Sequence, residues 1–184
     1  SWSLEAMITC AGAVDIITGA VVDACEICYA RGGFYQMPSV KALRQHNKED
    51  WKRPEFVDEF IVKLDNSRYF RWFDSGDLKD MAMLEKIVMI CQQTPEIDHW
   101  LPTREVKVVS DYLKIYKQFP DNLTVRVSSP MIDGKPLNFD YTSTVHHKEK
   151  AMGHDCPARF QDNECRDCRA CWSKEVKNVS YHKH

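Results

Sequence analysis

Between residues 68 and 129 the chain alternates three times between extended and helical patterning, and this rhythm restricts the fold more than any other feature. "RYFRWFD" reads as a strand over 68–74 that stops at the turn residues Ser75, Gly76 and Asp77. "LKDMAMLEKIVMICQQT" sets Met81, Leu84, Ile87, Val88 and Cys91 on one helical face and stops before Pro95. "IDHWLPTR" is then a short strand, "EVKVVSDYLKIYKQF" an amphipathic helix and "NLTVRVSS" a strand ended by Pro130. Parallel neighbours need such crossovers, because a tight hairpin cannot join them. The expected class is therefore α/β, a small partial (β/α) barrel-like parallel sheet, with sites gathered at the carboxyl ends of the strands. Those ends carry "DSGD", "PTR" and "SSP".

Upstream, Pro38 and Pro54 precede "SVKALRQHN" and "EFVDEFIVKLDN", which predict two further helices. "SLEAMIT" predicts a buried strand over 3–9 that delivers Cys10 into a loop, and 15–30 predicts loop with some helix. Beyond Pro130 the pattern holds one strand near 139–145 and then polar loop, with "HHKEK" and "YHKH" expected in solvent. The chain is expected to form one domain, with a core over 1–150 and a cysteine-rich C-terminal extension over 151–184 packed on it.

At 184 residues, 43% of them hydrophobic and 28% charged, the chain can bury a core without staples. A net charge of −2 gives no general attraction to nucleic acid, and the longest apolar stretch, broken by Asp15 and Asp23, is too short to cross a bilayer. "SWSLEA" lacks the basic and apolar regions of a signal peptide, which predicts an intracellular, cytoplasmic protein. In a reducing compartment, short CxxC spacings point to metal ligands or redox centres rather than disulfides.

Seven of the eight cysteines fall in two groups. Cys156, Cys165, Cys168 and Cys171 supply four sulfurs, enough for a tetrahedral zinc or for the corners of a 4Fe-4S cubane, and the CxxCxxC run favours iron. Cys10, Cys25 and Cys28 supply three, which can hold a cubane with one iron open. A fourth ligand from His46, His146, His147, His154 or Asp77 is the alternative there. Cys91, alone on an apolar helical face, belongs to the core. Tyr29 suits stacking over a cluster or an adenine, and equally an ordinary core position. The row Tyr69, Phe70, Trp72 and Phe73 is expected to be mostly core.

The motifs "SWSL", "TCAGA", "CEICYA", "WFDSGD", "WLPTR" and the terminal "CRDCRACW" together resemble a phage-encoded family known by the label gene product 88, and more distantly the radical S-adenosylmethionine (SAM) superfamily. The resemblance implies an iron–sulfur protein, with Cys10, Cys25 and Cys28 as ligands of a cluster whose open iron chelates SAM. It places Ser75, Gly76 and Asp77 where the superfamily has a turn against the amino group of SAM. It nominates Arg104, Arg126 and Ser128 for the carboxylate and ribose. The fourteen residues between Cys10 and Cys25 depart from the superfamily spacing of three. Two 4Fe-4S clusters and SAM are the expected cofactors, and an electron-donor protein the expected partner, with redox chemistry on an unspecified substrate. Non-SAM electron transfer or redox sensing is the second reading, and a zinc-stabilised binding module the third.

Overall fold

A computed structural model describes residues 1–64 and 67–183. Six parallel strands form one sheet curled as a half-barrel, in the order β1-β2-β3-β4-β6-β5. They are β1 (Tyr69–Arg71), β2 (Asp98–Thr103), β3 (Leu123–Ile132), β4 (Thr142–His146), β5 (His154–Asp155) and β6 (Asn178–His182). The helices are α1 (Asp23–Glu26), α2 (Pro38–Asp50), α3 (Phe56–Lys63), α4 (Met81–Gln93) and α5 (Val106–Tyr116). α4 and α5 are the crossovers that the alternation predicts. The helical pattern of α3 extends to Asn66, but Asp65 and Asn66 lie outside the described residues.

Local chemistry sets the helix ends. Pro38 opens α2 with its φ already helical, and the Asp80 carboxylate caps α4 by accepting from the Met83 N–H at 3.0 Å. α4 buries Leu84, Ile87, Val88 and Cys91 against the face of the sheet that carries Leu101, Val125 and Val127. Each large apolar side chain so buried contributes about 1.5–3 kcal/mol. At one end of this core, Phe60 stacks on Trp72 at 4.9 Å and Trp2 packs edge-on to both. The aromatic row is thus mostly core.

His99 on β2 is fully buried. The Thr94 hydroxyl donates to the Ile90 carbonyl, so its oxygen accepts from His99 Nε2 at 2.9 Å, and Nδ1 is left with no partner. A second proton would sit on that enclosed atom, and burial accordingly pushes the His99 pKa down to about 4. The unfolded chain then binds the proton more readily, so stability is whole above about pH 6.5 and falls as pH drops toward 4. The expected loss is roughly 3 kcal/mol over that window. Urea titrations at pH 7 and pH 4.5 should show it, and His99→Leu should flatten the portion due to this group.

The chain departs from its sequence pattern at both ends. Residues 3–9 form no strand: Trp2 makes an isolated parallel bridge to Trp72, the Leu4 N–H donates to the Ser75 carbonyl, and a turn with Met7 at φ 66° follows. The single expected strand near 139–145 is β4, and two more strands follow within the extension. "YHKH" is not solvated through Tyr181 and His182, which belong to β6, and His146 of "HHKEK" is buried. His184 lies outside the described residues. The cause is the face presented by β4 and β6, where Thr142, Thr144, Asn178 and Ser180 are buried and joined by side-chain hydrogen bonds. Such a face reads as loop because its interior contacts are polar.

Candidate metal centres

The fourteen-residue spacer is an excursion that returns to its origin. Val14 bridges Val21 antiparallel, Asp15 caps the turn through Thr18, and the Val22 N–H donates to the Ala13 carbonyl. Cys10 and Cys25 are thereby brought together despite their separation. The base of the excursion lies on the carboxyl end of β2, where the Gly12 N–H donates to Glu105 at 2.6 Å. Asp23 ties α1 to β3 by accepting from the Ile132 N–H at 3.0 Å.

The three thiols lie within electrostatic reach of one another. Burial pushes the Cys10 thiol up to about 12, with Asp77 adding to the rise. Burial also raises Cys25, against the pull of the Arg104 cation. Such thiols stay protonated at neutral pH until a metal displaces the proton.

Each residue nominated beside them has a partner within the protein. Ser75 Oγ donates to the Leu4 carbonyl at 2.8 Å. Gly76, at φ 76°, packs under Leu4 and Thr9. Asp77 is buried and accepts from Thr103 Oγ1 at 2.6 Å and from the backbone N–H groups of Leu78 and Arg104, and burial holds it up at about 7. Arg104 Nη1 donates to the Ser129 carbonyl at 2.6 Å, and Ser128 pairs with Ser143 at 2.8 Å. The Tyr29 hydroxyl donates to the Asp74 carbonyl and receives a bond from Arg71 at 3.3 Å, with its ring half exposed.

A cavity of about 350 Å³ is lined by residues that include Glu5, Met7, Ala30, Arg31, Lys41 and Arg44 and, among the described residues, by no cysteine. Its volume lies in the range of small-molecule sites. Arg44 is buried beneath it, over the Tyr35 ring, with its Nε unpartnered.

The second group covers the sheet face opposite α4 and α5. Cys156 leaves the end of β5, its N–H donating to the Ser180 carbonyl at 2.9 Å. The loop then turns through Asp162, Asn163 and Arg166, all at positive φ, to Cys165, Cys168 and Cys171. Asp and Asn are the non-glycine residues that adopt this conformation most readily. All four cysteines line one recess with His154, Trp172 and Val179. Tyr181 approaches Cys171 Sγ at 3.2 Å and His154 Nε2 approaches Cys168 Sγ at 3.5 Å. Burial pushes the Cys171 thiol up to about 12 and raises Cys156.

Arg126 holds this loop. Alternation along β3 aims it away from the helices, where its guanidinium donates to the carbonyls of Ala170, Cys171, Ser173 and Val176 at 2.8–2.9 Å. Trp172 locks the same segment from its other side, packing edge-on to Trp100 at 5.1 Å and donating to the Phe70 carbonyl. Sequence reasoning offered His154 as a ligand to the N-terminal cysteines, whereas it lies against Cys168 of the C-terminal group, and it missed Tyr181 as a neighbour of the thiols and the anchoring role of Arg126. An arginine at an inward position of an apolar strand was the available signal.

Among the described residues, no three cysteine sulfurs lie within 4.8 Å of one another. Thiolates closed on one zinc at about 2.3 Å stand about 3.8 Å apart and leave no free space between them. The recess here encloses about 10 Å³, room for one water-sized sphere.

A curled, all-parallel half-barrel with three thiols at its carboxyl edge and four more on the face opposite its helices defines an α/β protein with two candidate cysteine metal centres. The chain belongs to the gene product 88 family, whose sequence model matches residues 1–174. No curated protein and no solved structure matches it. No helix among the described residues is long and apolar enough to cross a membrane.

Proposed function

We propose that the chain is an iron–sulfur protein with one 4Fe-4S cluster on Cys156, Cys165, Cys168 and Cys171 and a second on Cys10, Cys25 and Cys28. The cysteine set carries this reading: four sulfurs line one recess in a CxxCxxC arrangement, and no three of them stand within 4.8 Å of one another, wider than thiolates already closed on one zinc. Charge supports it as well. Arg126 is fully buried and its partners are neutral carbonyls, so a net-negative thiolate cluster above it would be its counterion. Buried thiols at Cys10 and Cys171 would release protons on loading, so cluster occupancy should fall as pH falls.

Three ligands at the N-terminal centre would leave one corner for an exogenous group, and a cavity of ligand size is lined by Met7, Ala30 and Arg31, near Cys10 and Cys28 in sequence. A cluster there supplies one-electron chemistry, directed at the sulfonium of SAM in the fuller, radical-SAM-like form of this reading, with electrons from a donor protein. The chain's own part would be to present Arg31, Lys41 and Arg44, partly offset by Glu5 on the same wall, to an anionic portion of the ligand. Electron transfer without SAM is the second reading. It is favoured by the inward bonding of Ser75, Asp77, Arg104, Arg126 and Ser128, which leaves few free groups for SAM.

Anaerobic reconstitution should give a brown protein with about eight iron and eight sulfide per chain, and Cys25→Ser or Cys168→Ser should each remove about half. EPR of the reduced protein decides between the two forms. A signal changed by SAM supports the first, and a signal indifferent to SAM leaves electron transfer. Stoichiometric zinc without sulfide would sink both.

A further inference from the structure

His146, Asp155 and His182 end the three adjacent strands β4, β5 and β6, and register sets His146 directly opposite His182. Alternation along β6 turns His182 to the opposite face from Tyr181, which faces the cysteines, so this cluster and the thiols occupy different sides of the sheet. One donor atom from each of the three residues lies within 4.8 Å of the other two. No other group of three or more potential ligands among the described residues meets this spacing.

The geometry points to a mononuclear site for a divalent first-row transition ion, bound by the two imidazole Nε2 atoms and one Asp155 carboxylate oxygen. Three features carry the assignment. His182 Nε2 is buried 2.9 Å from Asp155 Oδ1, yet the contact lacks hydrogen-bond alignment and the nitrogen has no other partner. That is how two ligands of one ion meet, since donors about 2.1 Å from a common centre stand roughly 3 Å apart. His146 Nε2 is 3.8 Å from the same oxygen, which a small rotation closes.

The second feature is the support behind His146. Its Nδ1 is 2.8 Å from Ser180 Oγ, on a fully buried serine that also accepts from Thr144. A hydroxyl oxygen has lone pairs for both bonds, so Nδ1–H can donate to Ser180 and leave the Nε2 lone pair facing the ion. The third feature is exposure. Both imidazoles are largely enclosed, whereas the Asp155 side chain is 53% exposed, so solvent or a small ligand reaches the remaining coordination positions. Two histidines and one carboxylate with open positions suit iron(II), manganese(II) or zinc.

Manganese(II) is the probe of choice, because soft thiolates compete poorly for it and its free six-line EPR spectrum is lost on binding. The anaerobically reconstituted chain is expected to remove one equivalent saturably. Asp155→Asn and His182→Gln should weaken binding at least about tenfold, and Ser180→Ala roughly 10–100-fold through loss of orientation. Cys165→Ser should leave it unchanged. Asp155→Asn is the most discriminating variant, since a half-exposed carboxylate is dispensable for folding, and unchanged iron and sulfide content would show that its effect does not pass through neighbouring Cys156. Absence of a saturable equivalent, or binding unaltered by both Asp155→Asn and His182→Gln, overturns the site and leaves the cysteine centres untouched.

Discussion

Arg126→Met is expected to cost about 3–5 kcal/mol and to abolish metal loading at the proposed C-terminal centre while the proposed N-terminal one survives. Methionine keeps much of the volume, so the loss would come from hydrogen bonding and charge rather than from a cavity. Four carbonyls of the 170–176 segment now converge on one guanidinium, and each would be left buried without its donor. Other contacts also hold the loop: Thr124 donates to the Trp172 carbonyl, Trp172 donates to the Phe70 carbonyl and packs on Trp100, and Lys174 donates to the Pro120 carbonyl at 3.1 Å, but none of them reaches the four carbonyls that Arg126 satisfies. Released from this anchor, Cys168 and Cys171 would lose their fixed positions over Val179. Urea unfolding with iron and sulfide assays provides the measurement. A variant within about 1 kcal/mol of the parent, with both centres intact, would mean that the loop is positioned by its cluster and not by the arginine.

The same residue shows where the sequence was readable. Along β3 the apolar residues Leu123, Val125 and Val127 face the helices, and this pattern predicted the strand, while the alternation of strands with helices over 68–129 predicted the parallel sheet. Of the intervening residues, Arg126 and Ser128 were nominated by resemblance for ligand contact, and nothing local says what will cover that face. Its cover comes from residues 170–176, and only the folded chain brings those together with β3. β6 was hidden for a related reason. It buries Asn178 and Ser180, whose partners are the Thr142 and Thr144 hydroxyls and the His146 imidazole on β4. The cysteine groups were legible from spacing, since CxxC turns are local. Cys10 was grouped with Cys25 and Cys28 in the sequence, but the hairpin that brings it to Cys25 was not legible, because it depends on Asp15, Thr18 and Gly19 acting together.

Gly76→Ala should do the converse, removing the N-terminal centre and sparing the C-terminal one. Gly76 has φ 76°, and a Cβ there would stand 2.5 Å from Leu4 Cβ, 2.8 Å from the Leu4 carbonyl carbon and 2.8 Å from Thr9 Oγ1. A left-handed conformation costs an L-residue about 1–2 kcal/mol, and overpacking costs about 1–3 more. The clash cannot be relieved by a rotamer change, because one of the atoms met is backbone. The segment that must yield is residues 4–9, which leads directly into Cys10 and whose Thr9 side chain accepts from the Asp77 N–H. Asp77 in turn holds Thr103 and Arg104 at the end of β2, so displacement would spread to the base of the cysteine loop. Gly19→Ala separates the two costs. Gly19 shares the left-handed conformation, at φ 69°, but a Cβ there meets nothing within 4 Å. That variant should lose only the conformational portion and load both centres fully. If Gly76→Ala likewise retained about eight iron per chain, the Leu4–Thr9 segment would not be what positions Cys10.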